Sequence, residues 1–290
     1  MTSSGHERLV FFPSGKASLA GILGIPAQPN GRTVLIPWGA GAFPSSARNR
    51  LRSRLARHLT EEGFHTFRFD YPGVGESDGE YRRGSVRNPY VEEVTHAYAW
   101  LQSQGLSRVS IVANCLGAWS SLMAAPQIPT LEALALLNPP VSQDHGEIMA
   151  RQKPWGWWVR GMKRLRLSHL RSANRRASYR KLIAAKASSM VGREPSDLRF
   201  RKSIEQAFDR GIPILLMYGP DGFRQDFETA LDNGLREILD SPEFFTRLVF
   251  TEDRFEGLAS LAVQDLVVTE VSSWLLELGD VVRLPKEQAT

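Results

Sequence analysis

The chain has 290 residues, 42% hydrophobic and 23% charged, with a formal net charge of +5 and one cysteine. That is the make-up of a globular protein large enough for one α/β core and an insertion. It excludes an intrachain disulfide and, lacking any long uninterrupted apolar stretch, a transmembrane segment. The expected location is cytoplasmic, since residues 1–8 are polar and carry no signal-peptide core. The basicity is local. Residues 151–186 hold 12 Lys/Arg and no Asp or Glu, leaving 24 basic against 31 acidic residues elsewhere. A stretch so one-sided implies an acidic partner for that segment rather than a generally basic protein.

In chain order, residues 8–13 and 17–25 read as two strands of a hairpin turning at Ser14-Gly15. A third strand, 33–37, runs into Trp38-Gly39-Ala40-Gly41. Leu51, Leu55 and Leu59 at four-residue spacing predict a helix over 48–62, closed by Gly63. Residues 64–69 form the next strand and end in Asp70-Tyr71-Pro72-Gly73-Val74-Gly75-Glu76-Ser77, a glycine loop with a supporting role. It lacks the strand-to-helix context of a nucleotide-binding loop. A helix over 90–104 and a strand over 108–113 follow. After the segment around Cys115 come a strand over 131–137 and Asn138-Pro139-Pro140.

The alternation then stops for residues 141–211, which read as a helical, basic cap. It resumes with a strand at 212–218, the turn Gly219-Pro220-Asp221-Gly222, a helix at 223–239, a strand at 246–251 and a helix at 261–278. Strands alternating with helices imply an α/β fold, a mostly parallel sheet with helices on both faces. The core would comprise residues 8–140 and 212–280, with 141–211 inserted as the cap. Ligands of such a sheet sit beyond the carboxyl ends of its strands.

The segment Ile111-Val112-Ala113-Asn114-Cys115-Leu116-Gly117 is a β-branched run entering small-x-Cys-x-Gly and then a helix. It has the pattern of Gly-x-Ser-x-Gly, a sharp turn that lifts a nucleophile above the sheet. A solitary cysteine is otherwise a small core hydrophobe; its place in this turn favours the nucleophile. The set of hairpin, Trp38-Gly39 loop, Asp70–Ser77 loop, elbow and Asp221 turn resembles the α/β-hydrolase superfamily over residues 8–278. Within it, Cys115, Asn138-Pro139, Trp155-Gly156-Trp157-Trp158 and Tyr179-Arg180-Lys181-Leu182 resemble the cysteine-nucleophile hydrolases associated with exosortase systems. The chain is also similar to cysteine-dependent acyl-shuttling enzymes of natural-product pathways.

The resemblance implies that Asp221 fills the acid's slot, although Pro-Asp-Gly is also a common turn. The histidine slot reads Glu252-Asp253-Arg254-Phe255, and no histidine follows His169. Arg254 therefore stands where the family has its base. An oxyanion would be held by the backbone N–H of Leu116 and that of Gly39 or Ala40. Arginine cannot serve as a base at neutral pH, but it stabilises a thiolate, and a thiol near pKa ~8.5 depends on a base less than serine does. A Cys115–Asp221–Arg254 site would favour acyl transfer from a thioester donor, on acyl carrier protein or coenzyme A, to a thiol, amine or hydroxyl acceptor. The alternatives are a thioesterase or esterase in which His145, at the start of the cap, completes the site, and a non-catalytic protein that binds a ligand or partner. His169 reads as surface and His58, His65 and His96 as structural, with no metal-ligand spacing, and no cofactor is expected. The cap's acidic partner would be an acyl carrier protein, coenzyme A phosphates or an anionic membrane surface, and nucleic acid is not expected.

Overall fold

The computed structural model describes residues 5–39, 46–47, 50–141, 196–220, 222–241, 246–252 and 260–281. Eight strands form one sheet: β1 (His6–Ser14), β2 (Ala17–Ile25), β3 (Thr33–Ile36), β4 (His65–Phe69), β5 (Val109–Asn114), β6 (Leu131–Leu137), β7 (Ile214–Tyr218) and β8 (Thr246–Phe250). Their order across the sheet is β1-β2-β4-β3-β5-β6-β7-β8. Only β2 runs against its neighbours, β1 and β4; the pairs from β4 through β8 are parallel. This is an α/β-hydrolase architecture.

The helices are α1 (Leu51–Glu61), α2 (Val91–Ser103), α3 (Leu116–Ala124), α4 (Ser196–Asp209), α5 (Gly222–Ala230), α6 (Arg236–Leu239) and α7 (Leu261–Val281). Two apolar layers sandwich the sheet. Phe67, Ile111, Leu134 and Leu216 point to one side with residues of α2 to α5; Val34, Val112, Leu215 and Met217 point to the other with Leu55 of α1 and Trp274 of α7. Because successive strand residues face opposite sides, strands buried on both faces read as continuous apolar runs. This is why β5 and β6 are apolar almost throughout.

Two predicted boundaries move for identifiable reasons. The helix expected from residue 48 begins at Leu51, after Arg50 in a left-handed conformation (φ 58°). The helix expected to run unbroken to Leu239 is interrupted by a π-turn over Leu231–Leu235, where Gly234 takes φ 96°. Of the cap expected over 141–211, residues 142–195 lie outside the described residues, while its last part contains α4. No helix among the described residues is long and apolar enough to cross a membrane.

Candidate active site

Cys115 sits at the junction of β5 and α3 with φ 52° and ψ −126°, a conformation that ordinarily suits glycine. Two hydrogen bonds and a buried strand end hold it there. Its N–H donates to Leu137 O at the end of β6 (2.8 Å), its carbonyl accepts the N–H of Trp119 (3.1 Å), and Ala113 before it is fully buried in the sheet. The turn leaves the cysteine part-exposed.

Gly117 has a separate steric reason. A Cβ there would lie 2.8 Å from Trp38 N and 2.9 Å from Pro37 O, so α3 approaches the end of β3 only because that position has no side chain. As the first residue of α3, Leu116 has an N–H with no intrahelical acceptor. The helix's positive end favours negative charge beside Cys115.

The loop after β3 is fastened to the elbow. Trp38 bridges to Asn114, and the Gly39 N–H (φ 61°) donates to Asn114 O at 3.0 Å. This bears on the second oxyanion donor, expected at Gly39 or Ala40. The Gly39 amide is committed to the sheet and is not available to an oxyanion in this arrangement, while Ala40 lies outside the described residues.

Asp221, Arg254 and His145 also lie outside them. The strands that lead toward Asp221 and Arg254 are in register with the elbow: Thr251 N–H donates to Tyr218 O (2.9 Å), and Asn114, Leu137, Met217 and Val249 are register partners across β5 to β8. The segments leading to Asp221 and Arg254 therefore leave the sheet side by side, at the level of Cys115. Between them and the elbow, Asn138 ends β6 in a left-handed conformation (φ 50°), with its N–H on Met217 O at 2.7 Å. Of the described histidines, His65 stands at the start of β4, the opposite side of the sheet from Cys115. His96 on α2 pairs through Nδ1 with Ser14 Oγ (2.9 Å). Among the described residues no group of three or more His, Cys, Asp or Glu is placed to hold a metal.

The Asp70–Ser77 loop is built around its own polar groups. Ser77 Oγ donates to Asp70 O (2.8 Å) and accepts the N–H of Ala20 (2.9 Å), while Asp70 N–H donates to Ala20 O (2.9 Å). Gly75 (φ 58°) must be glycine, since a Cβ would meet Asp70 Oδ2 at 2.2 Å. Tyr71 stacks on Tyr90 with ring centroids 3.9 Å apart, and burial holds its phenol well above the usual range.

Sequence reasoning missed a buried charge beneath this region. Arg52, 1% exposed, donates from Nε (3.0 Å) and Nη2 (2.5 Å) to Ile36 O, and from Nη2 to Phe69 O (2.7 Å). Its Nη1 lies 3.9 Å from Asp70 Oδ1. Burial pushes Asp70 up to about 6, with Arg52 and Arg68 pulling the other way, and burial lowers Arg52 to about 10. The signal was present: Arg52 shares its helical face with Leu55, Ala56 and Leu59, so an arginine occupied an inward-facing position.

With this geometry in hand, comparison with known proteins adds the family. The chain matches the alpha/beta hydrolase family over residues 33–285. It belongs to that family. Solved alpha/beta hydrolase-like structures superpose over almost its whole length. The esterase Pf2001 of Pyrococcus furiosus has a TM-score of 0.61 at 15% identity, covering 94% of this chain and 93% of that one. A dienelactone hydrolase of Anabaena variabilis gives 0.59 at 17% identity (95% and 99%). A proline iminopeptidase of Mycobacterium smegmatis gives 0.56 at 15% (95% and 100%). At such identities the likeness is one of fold. A sequence relative, the uncharacterized protein RP471 of Rickettsia prowazekii (strain Madrid E), is 23% identical over 141 residues. That match covers 47% of this chain and a little over half, 57%, of the relative. This alpha/beta hydrolase thus has a cysteine at the end of β5, where Gly-x-Ser-x-Gly proteins hold their nucleophile.

Proposed function

We propose that this alpha/beta hydrolase is an acyltransferase that carries the acyl group as a thioester on Cys115. The observation that carries the reading is the elbow itself. A strained, part-exposed cysteine at a helix N-terminus, on the carboxyl side of the sheet, is placed to react, whereas a packing cysteine needs none of that.

In the first half-reaction the Cys115 thiolate attacks the carbonyl carbon of a thioester donor. The new C–S bond pushes the carbonyl electron pair onto oxygen, beside the Leu116 N–H and a second donor for which Ala40 is the candidate. Collapse expels the donor's thiolate. In the second half an incoming thiolate repeats the step on the acyl-Cys115 carbonyl and restores the enzyme thiolate. An amine or hydroxyl acceptor must in addition lose its proton to solvent.

Arg254 and Asp221 are assigned as a fork-to-carboxylate pair that stabilises the thiolate. Without a base, water is a poor acceptor, and hydrolysis is slowed by about 10²–10⁴-fold relative to a site with histidine. The basic cap residues are assigned to an acidic donor, with an acyl carrier protein fitting their charge. The resemblance to cysteine-nucleophile hydrolases supports the same reading.

The test is intact-protein mass spectrometry after incubation with a panel of acyl thioesters. Wild type should gain one acyl mass that persists, and Cys115→Ala should gain none. Arg254→His should shift product from transfer to hydrolysis. Equal labelling of the Cys115→Ala variant would overturn the covalent route, and an unchanged hydrolysis-to-transfer ratio in Arg254→His would remove the role of Arg254.

A further inference from the structure

The end of β3 is fastened on two sides, and only one of the fastenings belongs to the elbow. On one side, Trp38 and Gly39 are tied to Asn114, and Gly117 lets α3 touch the Pro37–Trp38 backbone. On the other, the chain re-enters regular structure at α1, whose second residue is Arg52. The Arg52 side chain reaches back and binds the last carbonyl of β3, Ile36 O, with two N–H groups. The start of α1 thus grips the end of β3.

The same guanidinium binds Phe69 O, the last carbonyl of β4, and faces the Asp70 carboxylate. From these contacts we infer that Arg52 is a positioning residue that holds the end of β3, up to Trp38 and Gly39, against the elbow, and with it the Leu116 N–H at the start of α3 beside Cys115. The inference rests on the acyl-thioester reading of Cys115.

A guanidinium suits this place for a physical reason. Two strand-end carbonyls and a carboxylate must be served at once in a buried site, and a planar fork of five donors does so where an ammonium does not. Ile36 O and Phe69 O are the last carbonyls of β3 and β4. The anchor has no contact with substrate. Its effect would be confined to steps in which negative charge builds up on a carbonyl oxygen, where a displacement of about 1 Å costs on the order of 100-fold.

Two reagents separate that step from the general reactivity of Cys115. p-Nitrophenyl acetate acylates a thiolate through a tetrahedral oxyanion. Iodoacetamide alkylates it by direct displacement of iodide and forms no oxyanion. Both second-order rates would be followed by intact mass in wild type, Arg52→Lys, the charge-neutral double variant Arg52→Gln/Asp70→Asn, and Arg54→Lys as a control from the same helix. The double variant covers the case in which lysine beside Asp70 does not fold.

In folded Arg52→Lys or in the double variant, acetylation should fall by roughly 10- to 100-fold while alkylation stays within about twofold, and Arg54→Lys should match wild type in both. Proportional loss of both rates, or no loss of either, overturns the positioning role. A wild type that is alkylated but never acetylated overturns the acyl-thioester reading, and the inference with it, before any variant is compared.

Discussion

The chain turns sharply at the ends of two strands that flank β3, and both turns are written in small residues. After β5 the turn at Cys115 leaves its strain uncompensated by any glycine and the cysteine part-exposed. After β4 the turn places Gly73 and Gly75 at the positions with positive φ, and Ser77, Ala20 and Asp70 satisfy one another within it. One turn places a side-chained residue where glycine would be easier; the other uses glycine wherever it is required. Backbone strain that is retained is better explained by the part-exposed residue it positions than by stability, and the loop after β4, tied down through Ser77 and the Asp70 backbone, is scaffolding.

The strongest way to break that contrast is to remove the sulfur. Cys115→Ala should lose covalent acylation by at least about 10³-fold by intact mass, and retained labelling would dissolve the distinction. The strain itself is measured by comparing Cys115→Gly with Cys115→Ala, both of which lack the thiol. Glycine should be the more stable by about 1 kcal/mol in denaturant melts, the reverse of the ordinary ranking. A more stable alanine variant would mean that the elbow is not strained.

Gly117→Ala sharpens the comparison from the steric side. Its methyl would press on the Trp38 and Pro37 backbone, with an expected loss of about 1–3 kcal/mol and a lower Tm. In the other turn, Ser77→Ala leaves the Ala20 N–H unpaired, costing about 1–2 kcal/mol. The acylation rate of the folded fraction should nevertheless stay within about twofold of wild type. A tenfold loss of that rate without a change in Tm would make the second turn functional as well.

The last effect is in pH. Asp70 is held at about 6 against an ordinary 3.8, so the folded state binds its proton more tightly than the unfolded state does. Its contribution is fully present below pH 3.8 and is lost as pH rises through about 6. Asp70→Asn lacks this dependence, so the wild-type Tm minus the variant Tm should fall between pH 4 and pH 7. A difference that grew over that range would contradict a buried, desolvated carboxylate.

Much of this was legible in the order of residues. Apolar runs such as 131–137 announced strands buried on both faces, and Ala113-Asn114-Cys115-Leu116-Gly117 marked the elbow, because its turn restricts residue size at fixed positions. The break in the helix after residue 230 was harder to read. A lone glycine in a helical pattern is usually tolerated, and the one further sign was Asn233 before it, which makes a turn-forming Asn-Gly pair. The commitment of the Gly39 amide to Asn114 was out of reach, because it depends on the register of β3 against β5, which no short motif encodes. Arg52 fell between these cases. Its inward position could be counted from the helical repeat, but its acceptors are carbonyls of residues 16 and 17 positions away and have no side-chain signature.

The sequence contains no second cysteine. Were peroxide to oxidise Cys115 to its sulfenic acid, no neighbouring thiol of this chain could condense with it and return it through an internal disulfide. Recovery would fall to a small thiol such as glutathione, or to a reductase able to reach the elbow. The working state of this site is therefore coupled to the thiol pool around it, and a fully reduced sample is the reference against which its chemistry is to be measured.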